Sequence, residues 1–332
     1  MKRILAIATV LLLAGCGKDK AESFRKGFPQ AKDVKVDVPQ KAGQALEGVA
    51  QRHDGLQGQV ANFYLFTRGI TVVCNTATVW VLGLVKAISD NPPTSVNANV
   101  AVWGPHTDAL SPNTFKFTVT KVADNDYTYT LEGKGKAEPD SAFKVVLSGA
   151  HKVATNAAGS PTENFGNGTF LIDWDKIQQL PEHGKEVGSA EFTYSRLTAA
   201  ANVKIDIAFH QVKDDETGKL VDAQYKYDAT PAAGGSFEFQ IAKDLDNGAP
   251  GKTAIENMAI KSRWQQTGAG RSDVQAKGGD LGALTAQVSE CWDQNFNSLY
   301  LIASWAPGYG YGQQTACAFP NAEYSTLAPL AP

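Results

Sequence analysis

Alternation between apolar and polar residues dominates the chain from about residue 97 onward. In residues 113–122 it places Phe115, Phe117 and Val119 on one side of an extended chain, with lysine and threonine residues on the other side. Successive side chains of a β-strand point to opposite faces, so this pattern predicts strands of a sheet with one apolar face. Further segments with a similar pattern are residues 126–134, 141–149, 168–174, 189–197, 202–212, 220–229, 235–243, 257–266, 272–278 and 297–305.

Short polar segments separate many of these predicted strands. Residues 123–126 (Ala-Asp-Asn-Asp) and 214–218 (Asp-Asp-Glu-Thr-Gly) are composed of residues that favour turns. Turns of this kind join neighbouring strands as hairpins. A succession of hairpins predicts an antiparallel, meandering sheet.

A different period marks residues 60–90, where apolar residues recur at spacings of three and four, as they do in a helix. Residues 90–93 (Asp-Asn-Pro-Pro) end the pattern, because proline cannot continue a helix. The stretch 69–85 carries no charge, but its polar residues leave it short of the roughly 20 apolar residues that cross a bilayer. We therefore predict a helix enclosed by its own protein.

Together these elements predict a mainly β (α+β) fold with one long helix. A twisted sheet of many strands tends to curl or split, and the helix at 60–90 is the large apolar element that could cover it. We expect a single domain over residues 56–330, in which a large antiparallel meandering sheet, curved or half-barrel, is packed on that helix. The arrangement resembles, in architecture alone, the half-barrel folds of bacterial lipoprotein carriers and related lipid-binding lipoproteins. A ligand held between sheet and helix would face Phe115, Phe117, Ile205, Ile207, Phe237 and Phe239.

The first residues have the form of an export signal. A positively charged start and a short apolar run at residues 4–13 precede two small residues and Cys16. The run Leu13-Ala14-Gly15-Cys16 resembles the lipobox of bacterial lipoproteins. In that family the signal peptide, here residues 1–15, is removed and the cysteine carries acyl chains such as palmitate. The resemblance implies a membrane anchor at Cys16, held by its acyl chains.

The residues after Cys16 bear on location. Gly17 and Lys18 lack the aspartate that retains many such proteins in the inner membrane. The resemblance therefore implies the outer membrane of the cell envelope, on either its periplasmic or its surface face. Residues 16–55 are rich in lysine, glutamine, alanine and glycine without a sustained apolar period, which predicts a lipidated, flexible tether.

Three further cysteines are Cys74, Cys291 and Cys317. An exported protein meets an oxidising compartment, which favours disulfides. Cys291 and Cys317 both lie near glycine-rich turns and are predicted to pair. Cys74 falls in the apolar helical stretch and is predicted to be a buried thiol. A pairing through Cys74 is the alternative, since sequence does not fix connectivity.

The charge balance restricts the partners. The formal net charge is −3, and removal of Lys2 and Arg3 with the signal lowers it to about −5. A nucleic-acid-binding protein needs a basic excess and a basic face. The sequence therefore excludes nucleic acid and leaves the membrane, a protein, a glycan or a lipid as candidate partners.

Signals for catalysis are weak. The histidines are scattered without the spacing of metal ligands, and no HExxH or CxxC motif occurs, so neither a metal site nor a cofactor is predicted. Asp173 and Asp175 would lie on one strand face, as paired carboxylates do in glycosidases. In most sheets such a pair is simply part of a polar edge, which is the preferred interpretation.

The most unusual composition lies in residues 304–317. Three glycines alternate there with Tyr309 and Tyr311, after Trp305. Alternating glycine and tyrosine does not pack like a strand core. A covered loop whose tyrosines lie over the sheet is the preferred interpretation, and a mobile loop that displays aromatic rings for binding sugars or proteins is the alternative.

These observations support three hypotheses of function. The first is a non-enzymatic, membrane-anchored envelope lipoprotein whose β domain is an interaction or structural module. The second is a binder or carrier of a lipid or other apolar ligand between the sheet and the helix. The third is a hydrolase of envelope polysaccharide, with Asp173 and Asp175 in its cleft.

Overall fold

The computed structural model describes residues 21–30, 34–40, 56–107, 111–214, 217–230, 232–245 and 250–330. Over these residues the fold is mainly β, with fourteen strands. It divides into two compact units: one holds the described residues up to Val34 and from Thr78 to Ala199, and the other holds those from Lys35 to Ala77 and from Ala200 onward. The predicted signal peptide, residues 1–15, and the predicted lipidation site, Cys16, lie outside the described residues.

The first unit has seven strands, and consecutive strands within it pair antiparallel in sequence order. The predicted turn at residues 123–126 joins β3 to β4, where Ala123 lies opposite Asp126. The strands are β1 (Ser95–Val96), β2 (Val100–His106), β3 (Asn113–Ala123), β4 (Asp126–Gly135), β5 (Lys144–Thr155), β6 (Pro161–Asp173) and β7 (Ser189–Arg196).

The second unit follows the same plan, with seven strands that pair antiparallel in sequence order. The prediction of a mainly β protein with a large antiparallel, meandering arrangement of strands is thus confirmed. The strands are β8 (Val203–Lys213), β9 (Leu220–Thr230), β10 (Gly234–Lys243), β11 (Glu256–Gln265), β12 (Gly270–Gly278), β13 (Thr285–Trp292) and β14 (Ser298–Ala303).

Helix α1 spans Asn62–Ser89. Its first turns belong to the second unit. There the Tyr64 ring stacks on Phe296 with centroids 4.2 Å apart, and Thr67 Oγ1 lies 2.7 Å from Ser262 Oγ. Among the described residues, no helix is long and apolar enough to cross a membrane. Shorter helices are α2 (Trp174–Ile177) and the 3₁₀ turns Asp140–Ala142, Gly279–Leu281, Pro307–Tyr309 and Gln314–Ala316.

The start of α1 is capped by a buried carboxylate. Glu290 on β13 accepts a hydrogen bond from the backbone N–H of Phe63 at 2.7 Å, which satisfies one of the unpaired donors at the helix start. Burial raises the pKa of the Glu290 carboxyl, while the Phe63 N–H opposes that shift. This contact ties the helix to the strand that supports the site described below.

Parts of the segment predicted as a tether, residues 16–55, are instead packed. In the first unit, Phe28 is buried and its ring lies 5.1 Å from Phe117. In the second unit, the Asn75 side-chain amide exchanges hydrogen bonds with the backbone of Val36, at 2.9 and 2.8 Å. The apolar residues here form a run too short to show a period, and aromatic burial outweighs the polar composition around them.

Candidate functional site

The candidate site is the end of the second unit at which β13 begins and β14 ends. Beyond β14 the chain turns back, and Leu301 exchanges two backbone hydrogen bonds with Tyr311, at 3.0 and 3.1 Å. Tyr311 Oη donates to Ser298 Oγ at 3.0 Å. These bonds close residues 302–310 into a loop on the edge strand.

Glycine is required where this loop returns. Gly312 has φ of +73°, and a Cβ atom there would lie 1.9 Å from the Leu299 carbonyl oxygen. Any other residue would combine an unfavourable backbone conformation with a clash against β14. The alternation of glycine and tyrosine in the sequence therefore reflects the close approach of the loop to the strand.

The loop displays two aromatic rings to solvent. Trp305 is 64% exposed and Tyr309 is 86% exposed. Ser304 exchanges hydrogen bonds with Gln287 of β13, at 2.8 and 3.0 Å, and this fixes the residue before Trp305. Two exposed aliphatic residues lie nearby along the chain, Leu284 directly before β13 and Ile302 near the end of β14. We use the name aromatic edge for the four exposed apolar residues at this end of the two strands: Leu284, Ile302, Trp305 and Tyr309.

A disulfide holds the other end of this segment. Cys291 of β13 is bonded to Cys317, as predicted. Cys74 is not part of that bond and lies buried on α1, where burial raises its thiol pKa to about 12. The loop is thus fixed to β14 by hydrogen bonds and to β13 by a covalent bond, so its aromatic rings stand on a braced backbone.

A buried ionic cluster lies beside the disulfide, on the same face of β11–β13. Asp273 accepts hydrogen bonds from Arg271 Nε at 2.8 Å, from Arg263 Nη2 at 3.1 Å and from Ser289 Oγ at 2.6 Å. Both charge signs are hydrogen-bonded, as buried ions require.

The C-terminal segment, residues 317–330, covers this cluster. Arg271 donates to the carbonyl of Pro320 at 2.9 Å, and Arg263 donates to that of Asn321 at 2.7 Å. Further along, Glu238 accepts from the Thr326 backbone N–H at 2.8 Å. The segment is therefore an integral layer of the second unit, and it carries the chain from the aromatic edge across β13 to β10.

The predicted ligand-facing residues belong to the interior or its margin. In the first unit, Phe117 is buried with Trp103 and Phe115 is half-buried. In the second, Phe237 is buried beside Tyr225, with ring centroids 5.0 Å apart. The other members are Ile205 and Ile207, both buried, and Phe239, which is half-buried.

The three aromatic residues predicted for the binding loop are arranged unequally. Trp305 and Tyr309 are exposed, whereas Tyr311 is partly buried and bonded through its hydroxyl to Ser298. Tyr311 thus anchors the loop, and the two exposed rings are the ones available for contact.

The carboxylate pair predicted on one strand face is not arranged in that way. β6 ends at Asp173, whose side chain caps α2 by accepting from the Lys176 N–H at 2.9 Å. Asp175 lies within α2 and accepts from the Gly188 N–H at 2.8 Å. Helix capping, in which aspartate is preferred, explains Asp173, whereas Asp175 holds the backbone that leads into β7.

Strand β13 was not predicted from the sequence, although it carries much of the site. Residues 285–289 alternate between polar and apolar, but Glu290 interrupts the apolar face that carries Val288 and Trp292, because its side chain points to the start of α1. The alternating stretch is therefore short. The sequence features that could have indicated this strand are the glycine-rich turn before it and Cys291 near its end.

Across the described ranges, no group of three or more histidine, cysteine, aspartate or glutamate side chains is placed to hold a metal ion. No protein-family model, curated protein or solved structure matches this chain.

Proposed function

We propose that this protein is a lipid-anchored envelope lipoprotein whose β body is a non-enzymatic interaction module. The run Leu13-Ala14-Gly15-Cys16 supports the anchor, since it combines a lipobox with a short apolar signal. The outer membrane is the proposed location, because the residues directly after Cys16 are Gly17 and Lys18 rather than an aspartate.

The observation that carries the interaction role is the aromatic edge. Trp305 and Tyr309 are the most exposed aromatic residues among those described, and each stands on a loop braced by the Cys291–Cys317 disulfide. Large apolar side chains exposed to water lower the solubility of a protein. Where several are clustered, they mark an interaction site. A braced loop loses little conformational entropy when it binds.

A protein is the partner that this surface fits best. Tryptophan and tyrosine are the residues that most often dominate protein–protein binding energies. Leu284 and Ile302 extend the surface with aliphatic area, which an apolar side chain of a partner can cover. A glycan would be expected to stack on the rings alone and to gain little from these two residues.

The proposal also includes the shape of the sheet in the second unit. We infer that the sheet of the second unit curves over the first half of α1, as a half-barrel would. The contacts of Tyr64 with Phe296 and of Thr67 with Ser262 support this arrangement. A rigid body of this kind would present the aromatic edge in one orientation.

Site-specific photo-crosslinking in intact cells tests the interaction. A photoreactive phenylalanine analogue at position 309 of the full chain is expected to give one discrete protein adduct. Trp305→Ala in the same chain should reduce that adduct at least five-fold. The analogue at position 220, where Leu220 is also exposed, is the matched control and should give no such adduct.

The alternatives give different results. An adduct that lysozyme-type digestion of the envelope removes, with no protein in it, would replace the protein partner by a glycan. Equal adducts from positions 309 and 220, or an adduct unchanged by Trp305→Ala, would contradict an interaction through the aromatic edge.

A further inference from the structure

Little of the predicted tether separates Cys16 from the packed body of the protein. Residues 21–25 are helical, and Ala21, Phe24 and Phe28 are each only 3% exposed within the first unit. Four residues, 17–20, therefore form the link between the predicted lipidation site and a buried residue. The length of this link limits how far the first unit can lie from the membrane.

The segment that follows the link is fixed to the first unit by several contacts. The Phe24 ring lies edge-on to the ring of Tyr127, at the start of β4, with centroids 6.3 Å apart. Gly27 packs so closely that a Cβ atom there would lie 2.7 Å from the Tyr127 ring. Arg25 Nε donates a hydrogen bond to the carbonyl of Ser89, at the end of α1, at 2.8 Å. Aromatic burial and a charged hydrogen bond together hold the segment in place.

The link has a maximum reach that does not depend on its conformation. Five Cα–Cα steps join Cys16 to Ala21. A fully extended chain covers about 3.3–3.6 Å per residue, so the two Cα atoms are at most about 18 Å apart. A flexible tether of about 40 residues would instead span about 35 Å.

This reach is small compared with the size of the first unit. The acyl chains hold a lipidated cysteine at the edge of the hydrocarbon layer, and the headgroup layer beyond that edge is about 5–8 Å thick. Ala21 can therefore rise only about 10–13 Å above the headgroups. A compact unit of about 150 residues has a radius of gyration of about 15 Å, so the first unit cannot move clear of the surface.

The surface around the docked segment includes the β3–β4 turn. Phe24 contacts Tyr127, which directly follows that turn. Val122, at the end of β3, is 57% exposed there, and a membrane interface can cover its aliphatic side chain. The other end of β4 lies about 30 Å away, because the strand has ten residues that each rise by about 3.4 Å.

The charge of the same region favours an anionic surface. Basic residues next to a lipid anchor strengthen binding to anionic headgroups. The ten residues after Cys16 have an excess of two positive charges, from four basic and two acidic side chains: Lys18, Lys20, Arg25 and Lys26 against Asp19 and Glu22.

We propose that the first unit lies directly on the membrane, with residues 21–26 and the β3–β4 turn against anionic phospholipid headgroups. The inference rests on the lipid anchor at Cys16, which is part of the proposed function. It adds a contact between protein and headgroups to that anchor. It also orients the β3–β4 turn towards the bilayer and the opposite end of these strands away from it.

Short-range fluorescence quenching on vesicles tests this contact. The full chain is purified in its lipidated form, confirmed by mass, and placed in vesicles of phosphatidylethanolamine and phosphatidylglycerol that contain a headgroup-spin-labelled lipid. A genetically encoded fluorescent amino acid at position 122 is expected to be quenched several-fold more strongly than the same residue at position 137. Ala137 is also exposed but lies beyond the opposite end of β4, so it is the matched control.

A flexible insertion tests whether the short link causes the contact. About 20 glycine and serine residues between Lys20 and Ala21 add a reach of about 25 Å. Quenching at position 122 should then fall towards that at position 137, while the lipid remains attached. Equal quenching at the two positions in the lipidated wild type, or quenching at position 122 that the insertion leaves unchanged, would overturn the inference alone. A wild-type chain without the lipid mass would overturn the anchor and this inference with it.

Discussion

Arg271 and Asp273, two residues apart on β12, form a fully buried ion pair, with Arg271 Nε 2.8 Å from Asp273 Oδ1 and side chains 1% and 0% exposed. Residues at this spacing share one face of a strand. On that face the pair also meets Arg263 and Ser289, and the C-terminal segment lies over it. The cluster joins three strands and the C-terminus through charged hydrogen bonds.

Removing the acidic member should therefore be costly. Asp273→Ala leaves two buried guanidinium groups without their shared carboxylate, and we expect the free energy of unfolding to fall by about 3–5 kcal/mol. Urea unfolding followed by circular dichroism measures the change. Asp228→Ala breaks the more exposed pair with Lys204 and is expected to cost at most about 1 kcal/mol. Equal losses in the two variants would contradict a structural role for the cluster.

The disulfide should contribute stability in its own right. Cys291 and Cys317 are 26 residues apart, and cross-linking a loop of this length stabilises by about 3.5 kcal/mol on the chain-entropy account. The double variant Cys291→Ala/Cys317→Ala should lose that amount and become insensitive to dithiothreitol. Cys74→Ala should keep the sensitivity to dithiothreitol; its loss would indicate that Cys74 forms the bond in solution.

Stability should also depend on pH through His151. This side chain is buried on β5 with Nδ1 2.6 Å from the Tyr194 hydroxyl, and burial lowers its pKa from 6.5 to about 4. The unfolded chain binds a proton more readily than the folded chain between these values. The contribution, about 3 kcal/mol, is therefore present above pH 6.5 and lost as the pH falls towards 4.

Urea midpoints measured from pH 7 to pH 4 test this expectation. His151→Asn should flatten the acid limb of the curve, because asparagine cannot take up the proton. His183→Asn, at an exposed position, is the matched control and should leave the limb unchanged. If the urea midpoint falls equally steeply with decreasing pH in all three proteins, groups other than His151 cause the acid sensitivity.

The packed N-terminal segment offers another test. Phe28 lies edge-on to Phe117 with centroids 5.1 Å apart, so Phe28→Ala should cost about 3–5 kcal/mol of unfolding free energy. Lys35→Ala, at an exposed position of the same region, should change it by less than about 0.5 kcal/mol. A neutral Phe28→Ala would show that residues 21–30 behave as a tether.

The sequence predicted the elements whose stability comes from one apolar face. Phe117 on β3 and Tyr129 on β4 alternate with polar residues, and both strands were located from that alternation. β13 was missed because its two faces meet partners of different chemistry, a helix start at Glu290 and a buried ion cluster at Ser289. Such partners come from distant parts of the chain, so no local pattern contains them.

The candidate site shows the same division. The exposure of Trp305 and Tyr309 follows from local composition, since glycines prevent a packed strand there. The aliphatic part of the aromatic edge, Leu284 and Ile302, depends on the pairing of β13 with β14 and could not be predicted. The predicted tether was too long. Its polar composition hides two phenylalanines, Phe24 and Phe28, that are both buried in the structure.

Labelling of the full chain with alkyne-palmitate in a bacterial host is the decisive test of the lipid anchor, because the lipid at Cys16 determines where the interaction module acts. The wild type should incorporate the label and sediment with the outer membrane. Cys16→Ser should be unlabelled and should keep its signal peptide. An unlabelled wild type, or a label that persists in Cys16→Ser, would contradict the account.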